Sequence, residues 1–259
     1  MESFGLFKRY WNDTGQKVDA LVRRRTGARA YIPAPVQFQD LGQGCFKLAF
    51  DAPAFFYNVP QKGSSTRAGP SHRQAIFVDG AFTVCEADDK VILTDASCNM
   101  EIYETRHVAG ESFTLRRVDA MHFDMESETQ SEFHPMFHVQ RGASATITPG
   151  MIIDKVAEVT HLDRDRIQFS EGGVPLGLSY VRLPTPQMDY FSVLATITAD
   201  FFCSEGQSDR NTKDEFRALL RSLLGSKNLT RDGRSSKVLS KRWNVDLPFG
   251  AGHWYAESV

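Results

Sequence analysis

The sequence predicts an α+β fold: a mainly antiparallel sheet with an N-terminal helix and with C-terminal helices packed on one face. Residues 35–142 form a run of alternating segments at hairpin distances with no helical stretch between them, a pattern of meanders rather than βαβ units. Helical periodicity brackets this run, at 3–26 and again after 142. The 259 residues are 41% hydrophobic and 24% charged, an ordinary globular composition, and a chain this long buries roughly 70–75% of its unfolded surface without help from a metal. One domain over 1–259 is expected, with a helix in 1–30, a strand-rich part at 35–142, a helix-rich part at 143–225 and a basic, aromatic segment at 226–259.

In chain order, Phe7, Trp11, Val18, Leu21 and Val22 recur near helical spacing and make the first helix amphipathic. Its last turn carries Arg23, Arg24 and Arg25, which complement the helix dipole; phosphate binding is the sharper reading. "VQFQDLG", "CFKLAF", "QAIFVDGAFTVCE", "KVILTD", "NMEIYET", "FTLRRVDAMHFDME" and "MFHVQRG" read as strands between Gly, Asp, Asn and Ser punctuation. The polar stretch 60–73 is a connection or a functional flap. Thr148 then caps a helix that has Pro149 in its first position. "RIQFSEGGVPLGLSYVRLP" reads as a strand or hairpin. A second Thr-Pro start at Thr185 and Pro186 opens a helix with Met188, Phe191, Leu194, Thr198 and Phe201 on one face. Thr212 and Glu215 have capping-box spacing ahead of the stripe Phe216, Leu219, Leu220, Leu223 and Leu224, and Gly225 ends that helix. The aromatic, Gly-rich close of the chain is expected to dock on the domain.

Bulk features exclude several classes. A net charge of −2 gives no global field favouring nucleic acid. Cys45, Cys85, Cys98 and Cys203 include no C-x-x-C pair, which argues against a cysteine zinc site, and buried reduced thiols are expected. The N-terminus shows no apolar leader core, and no apolar run reaches the roughly 20 residues that span a bilayer. A cytoplasmic protein with no membrane partner is the expectation. No Walker loop, G-x-G-x-x-G, G-x-S-x-G or H-E-x-x-H occurs, and no cofactor or metal is named by any motif.

Candidate chemistry gathers at "EFHPMFHVQRG", residues 132–142. Met121 and Phe123 alternate with His122 and Asp124, and Phe137 and Val139 alternate with His138 and Gln140, so two strands of a hairpin each carry one polar set on one face. A turn near Thr129 sets Asp124 opposite His134, with His122 diagonal to His134 and His138. Residues four apart in a strand lie roughly 13 Å apart, too far for His134 and His138 to chelate easily with bonds of about 2.1 Å, unless the Pro135 region bulges. His122, Asp124, His134 and His138 are therefore the candidate catalytic set, as metal ligands or as a His–carboxylate acid–base pair. Arg116, Arg117 and Arg141 could hold a phosphate beside them. The bland alternative is a polar sheet face satisfied internally by Asp124 and backbone carbonyls. Asp163 to Arg166 read as a solvated turn, and His72, His107, His161 and His253 as surface residues. The cations Lys227, Arg231, Arg234, Lys237, Lys241 and Arg242 could track phosphates, or form a solvated tail.

The order Arg117-x-Asp119, His134-Pro135-x-x-His138 and Arg182-x-Pro184 leading into Thr185-Pro186 resembles an uncharacterised bacterial family, a domain of unknown function, over residues 113–203. Gln140 stands where the family pattern has a second histidine, which weakens a metal role. The resemblance implies a phage-defence or mobile-element setting and carries no activity. Taken together, these readings lead to a cytoplasmic bacterial protein that binds nucleic acid, a nucleotide or a protein partner. Its binding residues would be Arg116, Arg117, Asp119, Gln140, Arg141 and Arg182 with Lys237, Lys241 and Arg242. The alternatives are a metal-assisted phosphodiesterase or nuclease, and a structural subunit of a larger complex.

Overall fold

The computed structural model describes residues 2–24, 27–34, 37–60, 73–87, 90–126, 137–142, 146–172, 182–184, 190–203 and 210–219. His134, the 61–72 loop, the Thr185-Pro186 start and the basic cluster with Lys237, Lys241 and Arg242 lie outside the described residues.

Helix α1 spans Glu2–Arg23 and is followed by β1 (Arg29–Tyr31), β2 (Gln37–Gly42), β3 (Cys45–Ala49), β4 (Ala54–Pro60), β5 (Arg73–Ala87), β6 (Lys90–Val108), β7 (Ser112–Glu126) and β8 (Phe137–Arg141). Then come α2 (Pro149–Thr160), β9 (Ile167–Ser170), β10 (Arg182–Pro184), α3 (Tyr190–Ile197), a π turn at Thr198–Phe202 and a helix over 210–219, here α4. The sheet runs β1-β4-β5-β6-β7-β8-β10, with the β2–β3 hairpin joined to β5 and β9 joined to β7. All described pairings are antiparallel except β7 with β9. The fold is the α+β architecture expected, and two predicted strands, "KVILTD" and "NMEIYET", fuse into the single long β6.

Alternation along the long central strands gives the sheet two buried faces. Ile76, Val78, Phe82, Cys98 and Phe123 point to the face covered by Val18, Leu21 and Val22 of α1 and by Phe191, Leu194 and Ile197 of α3. Trp11 fills its centre, stacked on Tyr190 with ring centroids 5.0 Å apart and edge-on to Phe191 at 4.9 Å. Gly80 permits this closeness: a Cβ there would lie 3.1 Å from Tyr190 and 3.0 Å from the Ser97 carbonyl oxygen. Phe55, Ala75, Phe77, Tyr103, Phe113 and Leu115 point the other way, onto Ile152 and Val156 of α2. The later helices thus divide, α3 with α1 on one face and α2 on the other.

The caps repay a local reading. Thr148 caps α2 as expected, its hydroxyl accepting from the Met151 N–H at 3.3 Å with Pro149 at the start. His161 closes the helix in the left-handed region, φ +59°, its N–H bonded to the Ala157 carbonyl. Thr212 and Glu215 form no capping box, because Thr212 already lies inside α4. Their side chains instead receive Arg24: its Nε lies 2.6 Å from Glu215 Oε2, its Nη2 bonds Glu215 Oε1, and its Nη1 lies 3.5 Å from Thr212 Oγ1. Arg23 pairs with Asp19 at 2.7 Å. Two of the three arginines in the expected phosphate cluster are therefore bound to carboxylates.

The expectation of four reduced cysteines is corrected. Cys45 of β3 faces Cys85 of β5 directly, their Cα atoms 4.0 Å apart, and the two form a disulfide; Cys98 and Cys203 are free thiols. The bond could not be read from spacing, because pairing of β3 with β5 is what brings residues 40 apart into register. Disulfides persist in oxidising settings, which pulls against a cytoplasmic location. No helix among the described residues is long and apolar enough to cross a membrane.

Candidate functional site

Strand register builds one polar row across the α2 face. Asp79 pairs with Asn99, Asn99 with His122, His122 with Gln140, and Gln140 with Arg182. The row crosses five strands from β5 to β10. Asp124 and His138, two residues away on their strands, face each other in the next rung. The alternation deduced for His122, Asp124, His138 and Gln140 is thus correct. The register is not the expected one: β8 lies four residues along from the expected pairing, so that Asp124 meets His138. The shift is even, so each side chain keeps its face.

Side-chain contacts tie this row together. His122 Nε2 lies 2.5 Å from Asp124 Oδ2, and His138 Nε2 lies 3.5 Å from the same oxygen. The Asn99 amide donates from Nδ2 to Thr146 Oγ1 at 3.2 Å, which turns its oxygen toward His122 Nδ1 at 2.5 Å. Asp79 completes the network through a hydrogen bond with Thr146, and burial pushes its carboxyl above the ordinary aspartate range. Asn99 is 4% exposed and His138 2%, whereas the His122 side chain is 35% exposed. The network therefore runs from a buried root beside the start of α2 to an accessible imidazole.

This geometry restricts the chemistry. Two ligands bonded to one tetrahedral metal at about 2.1 Å stand about 3.4 Å apart, so the 2.5 Å contact of His122 with Asp124 leaves no room for a metal between those two atoms. Among the described residues no group of three or more His, Cys, Asp or Glu side chains is arranged to hold a metal ion. Both ring nitrogens of His122 already face protein acceptors. A general base needs a free nitrogen within hydrogen-bond reach of substrate, and His122 offers none in this arrangement.

The expected arginine clamp is divided. A bulge in β7 between the partners of Ile102 and Tyr103 changes which side successive residues face. Arg117, 12% exposed, turns to the α2 face, 3.6 Å from buried Glu101 and 3.7 Å from Glu171. Glu101 also accepts a hydrogen bond from the Tyr103 hydroxyl, whose proton is held far more firmly than usual, first by burial and then by that bond. Asp119 is on the opposite face, where it grips Arg141 through two contacts of 2.9 Å. Arg116 pairs with Glu104 at the surface. Arg116, Arg117 and Arg141 thus do not converge, and each is matched to a carboxylate. β10 brings Arg182 into register with Gln140, a neighbour that the sequence separation of 42 conceals.

Asp79, Asn99 and Thr146 were missed by the sequence reading. A signal existed for Asn99: Ser97, Asn99, Glu101 and Tyr103 alternate with Cys98, Met100 and Ile102, which marks a polar face on a strand too long and central to be solvated. Neither a protein-family model, a curated protein nor a solved structure matches the chain.

Proposed function

We propose that this chain is a non-catalytic binding protein that recognises nucleic acid through the polar row on the α2 face. The continuous rung Asn99–His122–Gln140–Arg182 carries the reading. It sets polar residues in register across neighbouring strands, leading out to Gln140 and Arg182, and the His122–Asp124–His138 contacts hold the centre of that line in place. Side chains locked by such second contacts suit recognition, where position matters more than proton transfer. The basic residues Lys237, Lys241 and Arg242 would add the sequence-independent attraction to phosphate. The phage-defence or mobile-element setting comes from the sequence resemblance alone, and we retain it as context for the proposal.

The test is fluorescence anisotropy of the full chain with single-stranded and duplex oligonucleotides across a salt series. Binding should weaken steeply with salt, fall on Gln140→Ala, and fall again on charge reversal at Lys237, Lys241 and Arg242. Absence of salt-dependent binding to any of these oligonucleotides would refute the nucleic-acid reading and favour a protein partner.

A further inference from the structure

At the other end of the same sheet face lies a cleft of about 370 Å³ lined by Tyr57, Asn58, Arg73, Arg106, His107 and Phe113, among others. Three rings define it: His107 and Phe113 have centroids 5.3 Å apart, Tyr57 and Phe113 6.2 Å, and Tyr57 and His107 6.3 Å. Phe113 is buried and forms the floor. Arg73 lines the cleft on the face shared with Thr105 and forms no ion pair among the described residues, whereas Arg116, Arg117 and Arg141 are each matched to a carboxylate.

Backbone geometry supports a built site. β4 is irregular between Phe56 and Val59, and Asn58 holds a left-handed φ of +59°. Bulges re-aim side chains and gather beside functional sites, and a non-glycine residue in that region marks a constrained position. The irregularity falls on Tyr57 and Asn58, and the Tyr57 hydroxyl reaches His107 Nδ1 at 2.8 Å. Burial lowers the His107 pKa and raises that of Tyr57. Both shifts favour the uncharged forms, so the Tyr57–His107 contact is a hydrogen bond between a neutral phenol and a neutral imidazole.

From this combination we infer that the cleft binds a nucleoside monophosphate, its base against the Tyr57 and His107 rings and its phosphate on Arg73. Aromatic rings accept a planar base by stacking, as in single-stranded nucleic acid sites. Guanidinium groups not already neutralised are the donors best shaped for phosphate oxygens. The volume is at the lower end of the roughly 300–1,000 Å³ typical of small-ligand sites, which suits one nucleotide rather than a dinucleotide. The site is separate from the polar row and stands or falls independently of it.

Isothermal titration of the full chain with adenosine monophosphate, uridine monophosphate, adenosine and inorganic phosphate tests it. A monophosphate should bind at least roughly tenfold tighter than adenosine or phosphate alone, since loss of one charge-assisted contact costs about 1.5–3 kcal/mol. Arg73→Gln should weaken monophosphate binding by a similar factor while the melting temperature holds; Arg73→Lys, which keeps the charge but not the planar fork, should weaken it less and serves if the Gln variant does not fold. Arg164→Gln, at an exposed pair with Asp154, should change nothing. Monophosphate binding no tighter than that of phosphate, or binding that survives Arg73→Gln undiminished, would overturn the inference. The second outcome would leave the polar-row proposal standing, because the nucleotide would then bind elsewhere.

Discussion

Asp124→Asn tests the network at its centre. The carboxylate oxygen Oδ2 serves two histidines, His122 at 2.5 Å and His138 at 3.5 Å. Hydrogen bonds to charged groups contribute about 1.5–3 kcal/mol, but the His122 side chain is a third exposed, so solvent screening reduces its share to about 1 kcal/mol. The contact with His138 is long, but its imidazole is buried, and we assign it about 1 kcal/mol as well. The variant should therefore lose about 2 kcal/mol, less whatever the amide oxygen recovers by accepting from one ring. In a chain of this size that corresponds to a fall in melting temperature of about 4–8 °C. Urea denaturation with an unchanged m-value would attribute the loss to stability rather than to a change in the denatured state. Double-mutant cycles should then give coupling of Asp124 to both His122 and His138. A loss below about 0.5 kcal/mol, the scatter of ordinary surface substitutions, would refute the reasoning that these contacts fix the row.

Three further outcomes follow from other parts of the molecule. Asp79 has its pKa raised by burial, so the folded state holds its proton more tightly than the unfolded state, and stability is lost as pH rises from the ordinary aspartate range through the raised value. Asp79→Asn should match the wild type at pH below the ordinary aspartate range and be the more stable above the window, as read by denaturation midpoints across pH; a gap of the same size at every pH would contradict this. Cys45→Ser removes a cross-link closing a 40-residue separation, which chain-entropy estimates put at about 4 kcal/mol; a melting temperature equal with and without reductant in the wild type would show that the bond does not form. Trp11→Ala empties the centre of the α1/α3 core, where Trp11 also donates from Nε1 to the Pro33 carbonyl at 3.3 Å, and should cost about 3–5 kcal/mol by calorimetry or denaturation. A cost near 1 kcal/mol would mean that α1 does not dock as described.

Local chemistry explains what was legible in the sequence. Thr148 with Pro149 specifies the start of α2 because a cap needs only a side-chain oxygen within three residues of a free N–H. Met121, Phe123, Phe137 and Val139 place His122, Asp124, His138 and Gln140 on one face because side chains alternate strictly along a strand. The capping-box reading of Thr212 and Glu215 failed for the opposite reason. Those side chains answer to Arg24, about 190 residues earlier, and no local rule contains such a partner. β1 and β4 were missed because "RAY" is too short for any period to emerge, and "AFFYNVP" is apolar on both faces with an irregular Tyr57–Asn58 step.

By itself, then, the sequence determined the α+β class, the faces of the central strands and the identity of the polar side chains on β7 and β8. Tertiary structure alone decided which of those side chains meet. The register of β7 on β8 set His138 opposite Asp124, β10 placed Arg182 beside Gln140, the bulge in β7 split the arginines between two faces, and β3 on β5 joined Cys45 to Cys85. The physical reason is common to all four. Periodicity fixes the direction of a side chain relative to its own backbone, whereas its partner depends on the register between strands, which is set by packing energies summed over the whole sheet.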